Sequence, residues 1–214
     1  MAVQYSDFNT KAAKEAKDGD PSFHDSNIPF IFAFRENNLN NPFDCGRSQP
    51  YDKTDADMSP ISPQPKVSIV IPNWNGRALL ERFMPSVVGQ DFDSFEVVIL
   101  DNASADDSVS FLETHYPQVR VVRHDRNDGT AEGSNVGARA ARGEYLFFIS
   151  NDMWLEPDVL RRLCARLDAD PRAGICTLKM RRITAEGQRL MTLDSVGALI
   201  DVFGFPYPRG INEE

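Results

Sequence analysis

Four short apolar runs, separated by stretches with helical periodicity, limit the folds open to this chain more than any other feature. The runs are rich in β-branched and aromatic residues and scarcely alternate with polar ones: "VSIVI" (67–71), "EVVIL" (96–100), "VRVV" (119–122) and "YLFFI" (145–149). Strands covered on both faces of a parallel sheet have this pattern. Because strands alternating with helices form right-handed βαβ units, we expect an α/β, Rossmann-like domain with a mainly parallel sheet and helices on both faces.

The stretches between these runs, and the stretch after the last one, predict four helices. In the first, apolar residues recur at helical spacing: Leu80, Phe83, Met84, Val87 and Val88. Ser104 with Asp107 forms a capping box for the second helix. The third, "GTAEGSNVGARAA" (129–141), has a contact face of glycine and alanine, which permits close approach to the sheet. The fourth is expected to begin at Glu156 and Pro157, since proline is favoured at the first helical position.

The first 65 residues have little periodicity and end in the proline-rich "SPISPQP". Repeated prolines remove backbone donors and hold the chain extended. We therefore interpret residues 1–65 as a poorly structured tail and linker, and residues 66–214 as the folded domain. Within the tail, "TKAAKEAK" is a candidate short helix, and "IPFIFAF" is a candidate for docking on a neighbouring surface.

Charge and cysteine usage exclude several classes of protein. The formal net charge of −9 argues against a nucleic-acid binder, because no basic field would gather phosphates. Cys45, Cys164 and Cys176 lie far apart and form neither a zinc motif nor a disulfide framework. Cys164 falls on an apolar helical face and is expected to be a buried, inert thiol. With no apolar run long enough to cross a bilayer, we expect a cytoplasmic setting.

A polar segment follows each of the four apolar runs. These segments are "PNWNG", "DNASADDS", "HDRNDGT" and "SNDM". In parallel α/β sheets ligands bind outside the carboxyl ends of the strands. The four segments are therefore the candidate ligand site of this domain.

Two of these segments suggest a nucleotide site that differs from a dinucleotide-binding site. "IPNWNGR" has no GxGxxG pattern, so a nicotinamide or flavin dinucleotide would lack its phosphate turn. Asp101 is either a turn or helix-initiating residue, or an acceptor for the imide N–H of uracil or thymine or for a ribose hydroxyl. Trp74 offers an indole on which a flat base can stack.

Asp152 also has two interpretations. It follows five apolar residues with one serine and one asparagine between. A polar turn into the next helix would explain Glu156 and Asp158, whose charges suit a helix start, but not Asp152. A single acid at a strand end can hold Mg²⁺ or Mn²⁺ while substrate phosphates and water complete the coordination. The second interpretation predicts a metal clamp on a diphosphate.

The strand, turn and helix motifs occur in one order along the chain, from "VSIVIPNWNGRALLERFMPSVVGQDFDSFEVVILDNASADDSVSFL" to "NDGTAEGSNVGARAARGEYLFFISNDMWLEPDVL". Over roughly residues 66–210 this order resembles the nucleotide-binding half of inverting family 2 glycosyltransferases with the GT-A fold, especially the rhamnosyltransferase-like branch acting on polysaccharides. The resemblance implies transfer of a sugar from a UDP- or dTDP-linked donor to a glycan or lipid-linked acceptor. The resemblance is also compatible with peripheral association at the inner face of a membrane.

The resemblance also implies roles for individual residues at the nucleotide. Trp74 occupies the position of an aromatic residue that flanks the base. Pro72 and Asn73 belong to the same nucleotide-contacting turn. Asp101 matches the acid that binds the base, and Asn102 lies beside it.

Further residues match the sugar-diphosphate and metal elements of the family. Asn127, Gly129 and Asn135 match the "NxG…N" element that lines the sugar-diphosphate site. Asp152 matches the metal-binding acid of a DXD-like motif, with Asn151 beside it. Where the family often has two or three acids, this chain has one.

The catalytic base has no counterpart among these motifs. The family supplies an aspartate or glutamate from an acceptor-binding half, which is expected beyond Glu214. Two alternatives to an active transferase therefore stay open on the sequence alone. One is a catalytically silent module that binds sugar nucleotides or serves in assembly. The other is a nucleotidyltransferase, for which "PNWNGR" is a poor phosphate loop.

Overall fold

A six-stranded sheet forms the centre of the computed structural model, which describes residues 2–5, 32–35, 64–184, 188–195, 198–200 and 206–208. Its strand order is β5-β4-β3-β6-β2-β8. The six strands are β2 (Phe32–Arg35), β3 (Val67–Asn73), β4 (Phe95–Asn102), β5 (Arg120–His124), β6 (Tyr145–Phe148) and β8 (Ile175–Cys176). The strands β3, β4, β5 and β6 pair in parallel, whereas β2 is antiparallel to both of its neighbours. The expected α/β class and the positions of all four apolar strands are confirmed.

Four helices connect or follow these strands. They are α1 (Arg77–Val88), α2 (Ser108–His115), α3 (Gly129–Ala140) and α4 (Val159–Ala169). The core contains the central strands and the apolar faces of α1 and α4, with Ile69, Ile99 and Phe147 fully buried. Because β3 and β4 are covered on both faces, the central residues of both strands are mostly apolar, and the polar residues lie mainly near the strand ends.

Helix α3 packs close to the sheet through its glycines, as its sequence predicts. A Cβ added at Gly137 would come within 2.5 Å of Val70 Cγ1, and one at Gly133 within 2.8 Å of the Asn102 side chain. Such distances are too short for carbon contacts, so the helix requires glycine at its contact face.

A second, four-stranded sheet has the order β10-β9-β1-β7. Its strands are β1 (Ala2–Tyr5), β7 (Met153–Leu155), β9 (Met180–Ile183) and β10 (Arg189–Ser195). A pair of short strands, β11 (Ala198–Ile200) and β12 (Pro206–Pro208), completes the described elements. Strand β7 begins directly after Asp152, so the chain enters this second sheet immediately after the candidate metal residue.

Two segments of the predicted amino-terminal tail are strands. Residues Ala2–Tyr5 pair with β7 and β9. Residues Phe32–Arg35, which include the last three residues of "IPFIFAF" (28–34), pair with β6 and β8. The expected docking of that segment thus takes the form of strand addition. The candidate helix "TKAAKEAK" and Cys45 lie outside the described residues, and the boundary at residue 65 stays a prediction.

Two helix starts differ from expectation. Helix α4 begins at Val159 rather than at Glu156 and Pro157. The carbonyls of these two residues instead accept hydrogen bonds from the Gln90 side chain and the Asp91 amide, just beyond α1. The capping box at Ser104 and Asp107 is wrong: α2 begins at Ser108, and Asp107 makes no side-chain cap. The Ser104 side chain is engaged by Asp101 instead.

Cys164 is buried in α4, as expected. Burial raises the pKa of its thiol to about 11, so the reactive thiolate is scarce at neutral pH. Within the described residues, no helix is both long and apolar enough to cross a bilayer.

Candidate functional site

The carboxyl ends of the parallel strands bring the predicted site residues to one edge of the sheet. Asn73 at the end of β3 lies opposite Asp101 of β4, and Asn102 lies opposite His124 of β5. Strand β6 ends at Phe148 beside Val70 of β3, and residues 149–152 lead from there to β7. The four polar segments that follow these strands therefore share one side of the domain.

A chain of polar side chains, of which Asn73 and Asp101 are buried and Asn151 is half-buried, cross-links three of these strand ends. The Asn151 amide donates from Nδ2 to Asn73 Oδ1 at 2.9 Å. Asn73 in turn donates from Nδ2 to Asp101 Oδ1 at 3.2 Å. Asn73 and Asp101 are 1% and 4% exposed, so water hardly competes for these bonds. The segments after β3, β4 and β6 are thereby held in one arrangement, which we call the strand-end network.

Ser104 completes the strand-end network. Its hydroxyl donates to Asp101 Oδ1 at 2.6 Å, and its amide donates to Asp101 Oδ2 at 3.0 Å. A carboxylate offers about four acceptor positions, and Ser104 and Asn73 together occupy three. Asp101 therefore retains capacity for one further donor on Oδ2.

The loop carrying Trp74 is tied to the loop after β4. The Asn75 amide donates to Ser104 Oγ at 2.9 Å, and Asn75 Oδ1 accepts from the Ala105 amide at 2.7 Å. Asn75 and Ala103 have φ of +49° and +56°, a left-handed conformation that asparagine tolerates better than alanine does. These contacts hold "PNWNG" against "DNAS", with Trp74 41% exposed on the outside.

Gly76 is the point at which this loop passes the Asn73–Asn151 hydrogen bond. A Cβ at this position would lie 2.2 Å from Asn73 Oδ1 and 2.3 Å from Asn151 Nδ2. Any side chain would therefore displace both members of the bond. The glycine of "PNWNG" is required by this close approach.

The segment after β5 is attached to β4 through Asn102. Its Nδ2 donates to the Gly129 carbonyl at 3.3 Å, and the Gly129 amide donates to Asn127 Oδ1 at 3.0 Å. Asn102 is 3% exposed, and within the described part of the chain its Oδ1 is buried without a hydrogen-bond partner. Asn102, Asn127 and Gly129 thus lie together.

Asn135 lies six residues after Gly129, further along α3. Its Nδ2 donates to Glu132 Oε2 at 3.2 Å, and Arg139 donates to the other oxygen at 2.7 Å. The Arg139 guanidinium, followed by Asn135, lowers the pKa of Glu132 below its usual value. The side chain of Asn135 therefore contacts its own helix and not the strand-end network.

Asp152 lies in the turn between β6 and β7 and is 6% exposed. Among the described residues, no group of three or more histidine, cysteine, aspartate or glutamate side chains is placed to hold a metal. A cation at Asp152 would therefore take few ligands from protein and most from phosphate and water. Mg²⁺ and Mn²⁺ suit such a donor set, since they are commonly held by one or two carboxylates together with substrate phosphates.

Ser104 was not identified as a site residue from sequence. Ser104 was assigned to a helix cap, although a serine three residues after an acid fits a side-chain-stabilised turn equally well. Pro72 is half-buried in β3, while Asn73, interpreted as a nucleotide contact, is buried and joins two other predicted site residues.

Comparison of the sequence with known proteins identifies a family that matches this chain. Residues 68–208 match Glycosyl transferase family 2. An uncharacterized glycosyltransferase of Haemophilus influenzae is 31% identical over 105 residues, covering 49% of this chain and 35% of that protein. The chondroitin synthase of Escherichia coli is 32% identical over 126 residues, covering 58% of this chain and 18% of that protein.

Among solved structures, a mannosyltransferase from Pyrobaculum calidifontis in complex with GDP-Man and Mn²⁺ is 30% identical, with a TM-score of 0.46. The similarity covers 51% of this chain and 34% of that one. In each of these comparisons the match spans about a third or less of the relative's own length.

Proposed function

The chain belongs to Glycosyl transferase family 2, and we propose from this membership that it binds a nucleoside-diphosphate sugar for transfer, with inversion, to a glycan or lipid-linked acceptor. The observation that carries the proposal is the strand-end network. It holds an exposed indole, a buried carboxylate with spare acceptor capacity, and the turn bearing Asp152 at one edge of the sheet.

In this proposal the pyrimidine base lies on Trp74, beside Pro72. The free acceptor position on Asp101 Oδ2 takes the imide N–H of uracil or thymine, and Asn102 lies next to it. Burial strengthens this bond, because a charged acceptor in a low dielectric binds a donor more strongly than it does in water. UDP- and dTDP-linked sugars are thus the favoured donors, and the rhamnosyl branch is the finer assignment.

The diphosphate then extends toward Asn127, Gly129, Asn135 and the turn at Asn151. Asp152 would hold Mg²⁺ or Mn²⁺, which supplies positive charge for the departing nucleoside diphosphate. The polypeptide orients this carboxylate and limits its contact with water. Preorganised charge of this kind contributes several kcal/mol to leaving-group stabilisation.

Transfer with inversion is a single displacement. The acceptor hydroxyl oxygen forms a bond to the anomeric carbon as the bond from that carbon to the phosphate oxygen breaks. The hydroxyl proton passes to a carboxylate base, which we do not assign to a residue of this chain. Cytoplasmic placement, with peripheral contact to a membrane that carries the acceptor, belongs to the same proposal.

Calorimetric titration of the purified chain with UDP, dTDP and CDP, with and without Mn²⁺, tests this function. CDP is the matched control, because cytosine presents a lone pair where uracil and thymine present the imide N–H. We expect UDP and dTDP to bind at least about fivefold more tightly than CDP, since an unpaired buried acceptor costs roughly 1–3 kcal/mol. Mn²⁺ should tighten all three. A folded chain that binds none of them would contradict the proposal and favour a catalytically silent module that serves in assembly.

A further inference from the structure

Strand β7 has an edge that no strand of the described residues covers, just after the candidate metal residue. It is the last strand of its sheet, and β1 pairs with it on the other side. Unpaired backbone groups inside a protein are costly and are normally satisfied by other polar groups. In this domain the carboxyl-terminal end of α1 supplies a partner for one of these groups, the Leu155 amide.

Ser86 is the first contact between α1 and this edge. Its hydroxyl accepts a hydrogen bond from the Leu155 amide at 3.1 Å and donates one to the Phe83 carbonyl at 2.8 Å. Ser86 is 9% exposed and lies among the apolar residues of its helix face. An alanine here would suit the helix equally well but would leave the Leu155 amide without this acceptor.

Gln90, just beyond α1, makes three further hydrogen bonds. Its Nε2 donates to the Ser86 and Glu156 carbonyls, each at 3.0 Å, and its Oε1 accepts from the Leu160 amide at 3.3 Å. The side chain is 8% exposed. The neighbouring Asp91 amide donates to the Pro157 carbonyl at 2.7 Å. Together Ser86, Gln90 and the Asp91 amide form a polar clamp on residues 155–160.

Asp152 is held between this clamp and the strand-end network. Upstream, the Ile149 amide donates to the Val70 carbonyl at 3.1 Å, and Asn151 donates to Asn73. Downstream, the first clamped residue is Leu155, three positions after Asp152. A short turn fixed at both ends has little freedom to move its carboxylate.

From these contacts we infer that Ser86 and Gln90 are positioning residues for the Asp152 turn. They fix the position of the turn, so that the Asp152 carboxylate can share a cation with the diphosphate of a bound nucleotide. They do not touch the ligand. The metal-binding part of this inference rests on the proposed function, whereas the clamp itself rests on the hydrogen bonds.

Two variants separate the clamp from general packing. Ser86→Ala removes the acceptor for Leu155, and Gln90→Met replaces the amide with an apolar side chain of similar length. Ser110→Ala is the matched control, because Ser110 also donates to the carbonyl three residues before it in a helix, at 3.0 Å, but is exposed on α2. Hydrogen exchange of residues 151–156 and UDP titrations with and without Mn²⁺ are measured for each.

Both clamp variants are expected to exchange faster across residues 151–156, while Ser110→Ala matches the parent chain. Their Mn²⁺ affinity in the UDP complex should fall roughly tenfold, as for other residues that orient a metal ligand. Their UDP affinity without metal should stay within about twofold, because the strand-end network is intact. A purely structural defect would weaken both kinds of binding together.

The other outcomes are distinct. Unchanged exchange in both variants would overturn the clamp. Faster exchange with an unchanged Mn²⁺ affinity would overturn the positioning role. If the parent chain bound UDP without any effect of Mn²⁺ while the clamp variants exchanged faster, the metal assignment of Asp152 would fail and the clamp would stand.

Discussion

Replacing Asp152 with asparagine is expected to lower the Mn²⁺ affinity of the UDP-bound chain by roughly a hundredfold, with a much smaller effect on metal-free UDP binding. The substitution keeps the size of the side chain but removes its charge. Few other protein ligands are available among the described residues. The substitution therefore removes the main protein ligand of the cation. Electron paramagnetic resonance of free Mn²⁺ in a titration measures the affinity directly.

In an intact transferase the same substitution should reduce the rate of transfer by about 100- to 1000-fold, the range seen when one preorganised charge-stabilising group is lost. Asp158→Asn is the matched control. It lies in the same segment and carries the same charge, but its carboxylate accepts from Arg162 at 2.6 Å, outside the strand-end network. Equal Mn²⁺ affinity in Asp152→Asn and the parent chain would refute the assignment.

Asp101→Ala is expected to reduce the free energy of unfolding by roughly 3 kcal/mol and to abolish the preference for UDP over CDP. The carboxylate accepts three hydrogen bonds, from Ser104 and Asn73, in a site that is 4% exposed. Its removal leaves those donors without their partner, at roughly 1–3 kcal/mol for each buried group. Chemical denaturation measures the stability, and nucleotide titration measures the preference.

Asp107→Ala provides the comparison for this second prediction. Asp107 is an exposed carboxylate at the start of α2 and makes no side-chain cap there. We expect it to change stability by less than about 0.5 kcal/mol, as exposed substitutions generally do. A loss below about 1 kcal/mol in Asp101→Ala would mean that the strand-end network does not stabilise the fold.

The central sheet was predictable because burial on both faces leaves a strong signal. The central residues of β3 and β4 are mostly apolar. The glycines of α3 similarly predicted that this helix packs close to the sheet, where Gly137 lies against Val70. Strand β7 was not identified, because three residues are too short for any periodicity. Its position depends on pairing with residues more than 140 positions earlier in the chain.

The placement of the site residues at one edge of the sheet could be predicted from the sequence, but the hydrogen bonds between them could not. The ends of parallel strands meet by topology alone, so Asp101, Asn102 and Asn151 were correctly expected at one edge of the sheet. Which side chain bonds to which depends on distances of a few tenths of an ångström, which no spacing rule supplies. Ser104 illustrates this, since its hydroxyl suits a helix cap and a turn equally, and the nearby carboxylate of Asp101 decides between them.

The polar clamp left a weaker signal. Ser86 interrupts an otherwise apolar helix face near Phe83, Met84 and Val87, and Gln90 is a buried polar residue just beyond the end of the helix. A polar residue at a core position indicates a buried partner, but the sequence does not identify a partner about 70 residues away.

A structure of the chain with UDP and Mn²⁺, with the metal located by its anomalous scattering, would show directly whether the donor binds at these strand ends. We expect a Mn²⁺ peak about 2–2.5 Å from an Asp152 carboxylate oxygen, bridging to the diphosphate, with the uracil on Trp74 and its imide N–H directed at Asp101. A Mn²⁺ peak away from Asp152, or a uracil bound away from Trp74 and Asp101, would contradict this placement of the donor.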